Sequence, residues 1–124
     1  MALDRAALGL STRGHMLASL RAELHRCSFQ RIADLAALPA ALVIDVAGQL
    51  VSRQQPGTAR GMMFLGLSDE TGLLNVVVPP QVYARDRAAI QGEALVWVTG
   101  VLERRQTAVS LRAKRIRSLA ALLP

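Results

Sequence analysis

The chain has 124 residues, 52% of them apolar, a net charge of +6 and a single cysteine. That length supports one modest core and points to one domain. The patterned apolar content excludes a disordered chain, no apolar run approaches the roughly 18 residues of a membrane span, and Cys27, being alone, excludes an intrachain disulfide and argues against a cysteine-built zinc site.

The first 38 residues read as helical. The N-terminal MALDRAALGL lacks the basic and then apolar layout of a signal peptide, so a cytoplasmic location is expected. After a break at Ser11, Thr12 and Gly14, the residues Met16, Leu17, Leu20 and Leu24 fall on one helical face. A second short helix is predicted over 28–38, with Ile32, Leu35 and Leu38 on one side and Pro39 ending it. His15 and His25 have no partner at metal-ligand spacing and read as surface residues.

From residue 41 the pattern becomes that of strands. Residues 41–53 place Ile44, Val46, Gly48 and Leu50 on one parity, and a glycine in mid-strand calls for a bend or a close approach. Residues 62–67 and 73–78 form the next two strands. They are joined by the turn Ser68-Asp69-Glu70-Thr71-Gly72, in which Ser and Asp can hydrogen-bond their own backbone and Gly72 can take positive φ. Pro79 and Pro80 stop the third strand, since neither donates to a ladder. Residues 81–90 then read as a short helix, 94–102 as a fourth strand with Gly100 inside it, 103–107 as a polar hairpin turn and 108–116 as a fifth strand. In that last strand Val109, Leu111, Ala113 and Arg115 are expected on one face, and Ser110, Arg112, Lys114 and Ile116 on the other. Residues 118–123 suggest a terminal helical turn.

Five strands with a short helix between the third and fourth is the order of the OB-fold, a small Greek-key barrel whose closure needs coiled strands. The fold class is therefore expected to be mainly β, with a helical leader over 1–40, the barrel over 41–117 and a tail over 118–124. A generic α+β sandwich is the competing reading. The positive charge is uneven. Residues 1–40 carry five arginines against three acids, 41–102 four against five, and 103–124 five arginines and Lys114 against Glu103 alone. A positive field gathered on the last strand favours a polyanionic partner.

The wording of residues 53–83, RQQPGTARGMMFLGLSDETGLLNVVVPPQVY, resembles the OB-fold region near the C-terminus of bacterial C-family replicative polymerases, the DNA polymerase III alpha subunit-like enzymes, and among them the error-prone branch. The family pattern is met by Arg53, Pro56 to Ala59, Gly61, Phe64, Leu67, Asp69 to Gly72, Asn75, Val77 and Val78. Residues 8–21, LGLSTRGHMLASLR, resemble the segment leading into that domain, with Met16 where the family has proline. Val98-Thr99-Gly100 and VSLRAKRIRSL fit as well, so the likeness covers nearly the whole chain. The resemblance implies a domain serving DNA replication and repair that binds single-stranded DNA, with RNA as the other polyanion, next to replication or translesion-synthesis proteins. It implies no catalysis, because nothing here matches the palm aspartates. No cofactor or metal is expected.

In an OB-fold the strand-binding groove crosses strands 2 and 3, between the loop joining strands 1 and 2 and the loop joining strands 4 and 5. Arg53 and Arg60 bracketing the first loop and Arg104 and Arg105 on the second are candidate phosphate contacts, with Gln55 as a further candidate nucleic-acid-binding residue and Arg112 and Lys114 on strand 5 extending the track. Asn75 is a candidate base or sugar contact. Alternation sets Phe64 with Met62 and Gly66 against Met63, Leu65 and Leu67 without saying which set faces inward. A core Phe64 is the ordinary expectation, and a groove-facing stacker the functional one. Trp97 is expected in barrel-edge packing and Tyr83 as a cap on the barrel. With so few aromatics, binding should be weak, salt-sensitive and without sequence preference. The alternative is a protein-docking module, in which the Leu17, Leu20 and Leu24 helix packs on a neighbouring domain.

Overall fold

The computed structural model describes residues 17–55, 61–105 and 108–121, without the side chains of Arg105 and Ala121. The expected break at Ser11 to Gly14, the loop residues 56–60 with Arg60, and the hairpin tip at 106–107 lie outside the described residues. In chain order the elements are α1 (Arg21–Arg26), β1 (Phe29–Gln30), a 3-10 segment (Ile32–Ala37), β2 (Val43–Gln54), β3 (Met63–Asp69), β4 (Gly72–Val78), α2 (Pro80–Gly92), β5 (Leu95–Arg105), β6 (Ala108–Ser118) and a second 3-10 turn (Leu119–Ala121). The strands run β1-β2-β3-β4-β6-β5, and β2 also pairs with β5, which closes five strands into a mixed barrel with β1 as a sixth alongside β2. The expected mainly β, five-stranded barrel with a helix between its third and fourth strands is what forms. No helix among the described residues is long and apolar enough to cross a membrane.

Closure depends on two seams. β2 meets β5 from Val43↔Val101 to Gln49↔Leu95, and β4 meets β6 in parallel over Asn75↔Ser110 to Val77↔Arg112. Both mid-strand glycines sit where strands crowd. A Cβ on Gly48 would lie 2.7 Å from Leu67 Cγ and 2.8 Å from the Ser68 carbonyl oxygen, and one on Gly100 2.5 Å from the Arg112 carbonyl oxygen. At Gly100 the β5–β6 register shifts. Thr99 pairs with Arg115 and Gly100 with Ala113, leaving Lys114 as the extra residue of a bulge. The bulge resets parity, and this corrects the expectation for the last strand: Ile116 joins Leu111 and Ala113 in the core, while Arg115 is exposed.

Helix α2 brings Val82 and Ile90 into the barrel core and fastens the bulge. The Ile116 amide donates to Asp86 Oδ2 at 2.7 Å, Arg85 grips the same carboxylate through Nε and Nη2 at 3.0 Å, and the Arg85 guanidinium also donates to the Lys114 carbonyl. Burial pushes the Asp86 carboxyl up, but the hydrogen bonds from Arg85 and Ile116 outweigh it and hold the group below the ordinary aspartate value. Tyr83 packs against the core as a cap, its hydroxyl accepting from Gln91 Nε2 at 2.7 Å.

The leader lies on the barrel. Leu17, Leu20, Leu24 and Phe29 form a second core with Ala47 of β2 and Leu119. Each fully buried leucine contributes roughly 1.5–3 kcal/mol, so this helical face is fully occupied by its own chain. Trp97 packs at the edge of this cluster, 5.3 Å from the Phe29 ring, with Arg117 stacked 3.7 Å over its centroid and its Nε1 donating to Asp45 Oδ1 at 2.8 Å. The helix expected over 28–38 does not form. Ser28 takes φ of 67°, Phe29 and Gln30 pair in parallel with Asp45 and Val46, and a 3-10 segment follows.

The acidic turn is what holds that segment in place. Asp69 Oδ1 accepts from the amides of Thr71 at 2.7 Å and Gly72 at 3.1 Å and from the Thr71 hydroxyl at 2.7 Å. Its Oδ2 accepts from the Ile32 amide at 2.9 Å, and Thr71 Oγ1 accepts from the Ala33 amide at 2.9 Å, so the turn caps the 3-10 segment. Arg21 of α1 donates to both Glu70 oxygens at 2.6 and 2.7 Å. With Asp69 bridging the two-residue hairpin, Gly72 makes no use of the positive φ open to it, and among the described glycines Gly61 alone adopts one.

Two outcomes follow from these contacts. Gly100→Ala forces its new methyl against the Arg112 carbonyl and should lower stability by about 1–3 kcal/mol, read from the denaturant midpoint; an unchanged midpoint contradicts the close approach. The hydrogen bonds from Arg21 hold the Glu70 carboxyl below its ordinary value against the opposing effect of burial. A depressed folded pKa gives stability that is present above the unfolded value, about 4.3, and lost as pH falls through the folded one. The melting-temperature gap between wild type and Glu70→Gln should therefore be widest near neutral pH and close in acid. A gap constant down to pH ~2.5 would show that the pair contributes nothing.

Candidate nucleic-acid interface

The outer face of β3 and β4 is set by the barrel parity. Met63, Leu65 and Leu67 point into the core, so Phe64 points out with 38% of its surface exposed, contrary to the ordinary expectation of a core phenylalanine. On β4 the buried set is Leu74, Val76 and Val78, which leaves Leu73, Asn75 and Val77 outward. Register then assembles two cross-strand rows. Gln54, Phe64, Val77 and Arg112 stand in one, and Ser52, Gly66, Asn75 and Ser110 in the next. These two adjacent rows carry one aromatic ring (Phe64), two carboxamides (Gln54 and Asn75) and one guanidinium (Arg112) that is unpaired among the described residues. Leu73, 65% exposed, widens its apolar part. Nothing in the residue pattern marks Leu73 or Gln54 as members of this face, because their membership depends on register.

The loop arginines behave differently. Arg53 Nε donates to the Ile90 carbonyl at 2.6 Å and Nη2 to that of Glu93 at 3.2 Å, so this guanidinium covers the C-terminal carbonyls of α2. Arg104 turns to the other side and donates through Nη2 to the carbonyls of Ala36, at 2.8 Å, and Leu38, at the end of the 3-10 segment. Both are exposed enough to be wetted, yet each has fixed partners elsewhere. Gln55 is exposed at the root of the β2–β3 loop, while Arg60 and the side chain of Arg105 lie outside the described residues.

β6 supplies further cations. Arg112, Lys114 and Arg115 are exposed, and neither the Arg112 guanidinium nor the Lys114 ammonium has a hydrogen bond or ion pair among the described residues. Arg117 belongs to the Trp97 stack instead. Among the described residues no group of three or more His, Cys, Asp or Glu is arranged to hold a metal ion.

Comparison with known proteins agrees with this geometry. The chain is 44% identical over 117 residues to an error-prone DNA polymerase of Azoarcus sp. strain BH72, covering 94% of this chain and 11% of that protein. It is 42% identical over 120 residues to the error-prone DNA polymerase of Dechloromonas aromatica strain RCB, covering 97% and 12%. The chain thus spans about a tenth of the length of the curated relatives it matches. Among solved structures, the Stn1–Ten1 complex of S. pombe superposes with a TM-score of 0.54 at 23% identity, over 68% of this chain and 62% of that one, a likeness of fold. The family described as "OB-fold nucleic acid binding domain" (the tRNA anticodon type) matches residues 44–119, from the second residue of β2 to the end of the barrel. With that match lying on the closed barrel, its outward Phe64 face and its basic last strand, the chain belongs to the OB-fold nucleic-acid-binding domain family.

Proposed function

We propose that this domain is a non-catalytic module that binds single-stranded DNA weakly and without sequence preference, as the template-side domain of an error-prone DNA polymerase or as a stand-alone relative working in the cytoplasm. The observation that carries the reading is the outward Phe64 in the same row as Arg112, with Asn75 one rung away. A base stacks on the ring, the carboxamide meets a base edge or sugar, and the guanidinium meets a phosphate. One exposed ring on this face gives a short platform, hence low affinity, and π-stacking does not distinguish among bases. The same face would accept single-stranded RNA.

Among the loop residues, Gln55, Arg60 and Arg105 are assigned to the rim of the groove. Arg53 and Arg104 are assigned a supporting part, since their fixed partners orient the two flanking loops. The docking reading drew on the leader helix, and Leu17, Leu20 and Leu24 are buried against the chain's own barrel.

The test is fluorescence anisotropy of labelled oligo-dT at low and moderate salt. Wild type should bind at low salt and weaken steeply as salt is added. Phe64→Ala should lose roughly tenfold in affinity, in line with ~1–3 kcal/mol per stacked base, with an unchanged melting temperature. Arg53→Ala should cost stability before it costs binding. No binding at low salt would end the single-strand reading for this domain.

A further inference from the structure

Beside the Phe64 face lies a hollow of about 240 Å³ between β6 and the first turn of α2. Its floor is apolar (Pro79, Val82 and Val101), and its rim carries Arg112, Lys114 and Gln81. The volume is below the roughly 300–1,000 Å³ of small-molecule pockets and suits one small anionic group. Arg112 is shared, since it ends the row Gln54–Phe64–Val77 and also lines this hollow. Lys114 owes its place to the bulge, which Asp86 and Arg85 of α2 hold through the Ile116 amide and the Lys114 carbonyl. The two cations are thus offered from a strand whose local shape is fixed by one buried hydrogen bond, from the Ile116 amide, and one exposed hydrogen bond, to the Lys114 carbonyl, and neither side chain is neutralised by a neighbour among the described residues.

We propose that a single strand lying on the Phe64 face leaves it over β6 and seats a backbone phosphate in this hollow, between the Arg112 guanidinium and the Lys114 ammonium, with the Gln81 carboxamide as a neutral donor from α2. The inference rests on the reading of the Phe64 face and adds the direction of travel: the strand runs toward β6 and α2, away from the side where Arg104 reaches the 3-10 segment. The ligand is a phosphodiester, for two cations over an apolar floor match a group whose charge sits at its edge while a neighbouring sugar covers the floor.

The experiment measures the salt dependence of oligo-dT binding to the 124-residue chain carrying Arg112→Gln, Lys114→Gln, Gln81→Glu or Phe64→Ala, each checked for an unchanged melting temperature. Arg112→Gln and Lys114→Gln should each flatten the slope of log affinity against log salt by about 0.7, the value of one phosphate contact on a single strand. Gln81→Glu, which touches neither cation's own strand, should weaken binding severalfold by repulsion. Phe64→Ala should lower affinity with the slope unchanged. If wild type and Phe64→Ala behave as expected while Lys114→Gln and Gln81→Glu keep the wild-type slope and affinity, the exit path is wrong and the face stands. If wild type fails to bind, the face is wrong and the path with it. If polyglutamate of matched charge competes as well as the oligonucleotide, and Phe64→Ala weakens neither, the hollow serves an acidic protein and the proposal is overturned.

Discussion

Closing five strands into so narrow a barrel is the constraint from which most of the structure follows. β2 must serve both seams of its half, pairing with β5 along its first part and with β3 along its second, and it turns between them at the crowded Gly48 and the displaced Val51. On the far side β5 and β6 approach so closely that a Cβ on Gly100 would lie 2.5 Å from the Arg112 carbonyl oxygen, and the register shifts there by the extra residue Lys114. Once the seams are fixed, every outward position is fixed with them. Phe64 and Asn75 are on the surface because Leu65 and Val76 are in the core, and the basic residues of β6 are on the surface because Leu111, Ala113 and Ile116 are not.

Charged groups divide into those that build the barrel and those left over. Arg21, Arg85 and Arg117 are held by a carboxylate or a ring, and Arg53 and Arg104 by the carbonyl ends of two helical segments. The acidic turn, which reads in sequence as a plain connection between two strands, uses Asp69, Glu70 and Thr71 to tie the leader to the barrel. Among the described residues Arg112 and Lys114 are left without a hydrogen bond or ion pair, as are Arg87 and Arg115, and Arg112 stands in the same cross-strand row as Phe64. The phosphate contacts proposed above are thus drawn from cations that folding did not use.

Much of the fold was legible in the sequence, because glycines inside strands, a proline pair after a strand and a period-2 run of Ile44, Val46 and Leu50 each have few physical explanations. The orientation of Phe64 was not, since Met62 to Leu67 is apolar on both parities and nothing local breaks the tie. The faces of the last strand were misread for another reason: a bulge leaves no mark in the residue pattern, and Ile116 and Arg115 exchange sides across it. The destinations of Arg53 and Arg104 were beyond reach as well, for they depend on where the ends of α2 and the 3-10 segment arrive in space. The leucine stripe of the leader announced a buried face but not the surface that buries it.

The most direct measurement of the central claim is a backbone and side-chain NMR titration of the isotopically labelled chain with short oligo-dT. The largest shifts should fall on Phe64, Asn75, Val77 and Arg112, one continuous patch over β3, β4 and β6. Shifts concentrated on α1 and the 3-10 segment, with those four residues unmoved, would contradict it.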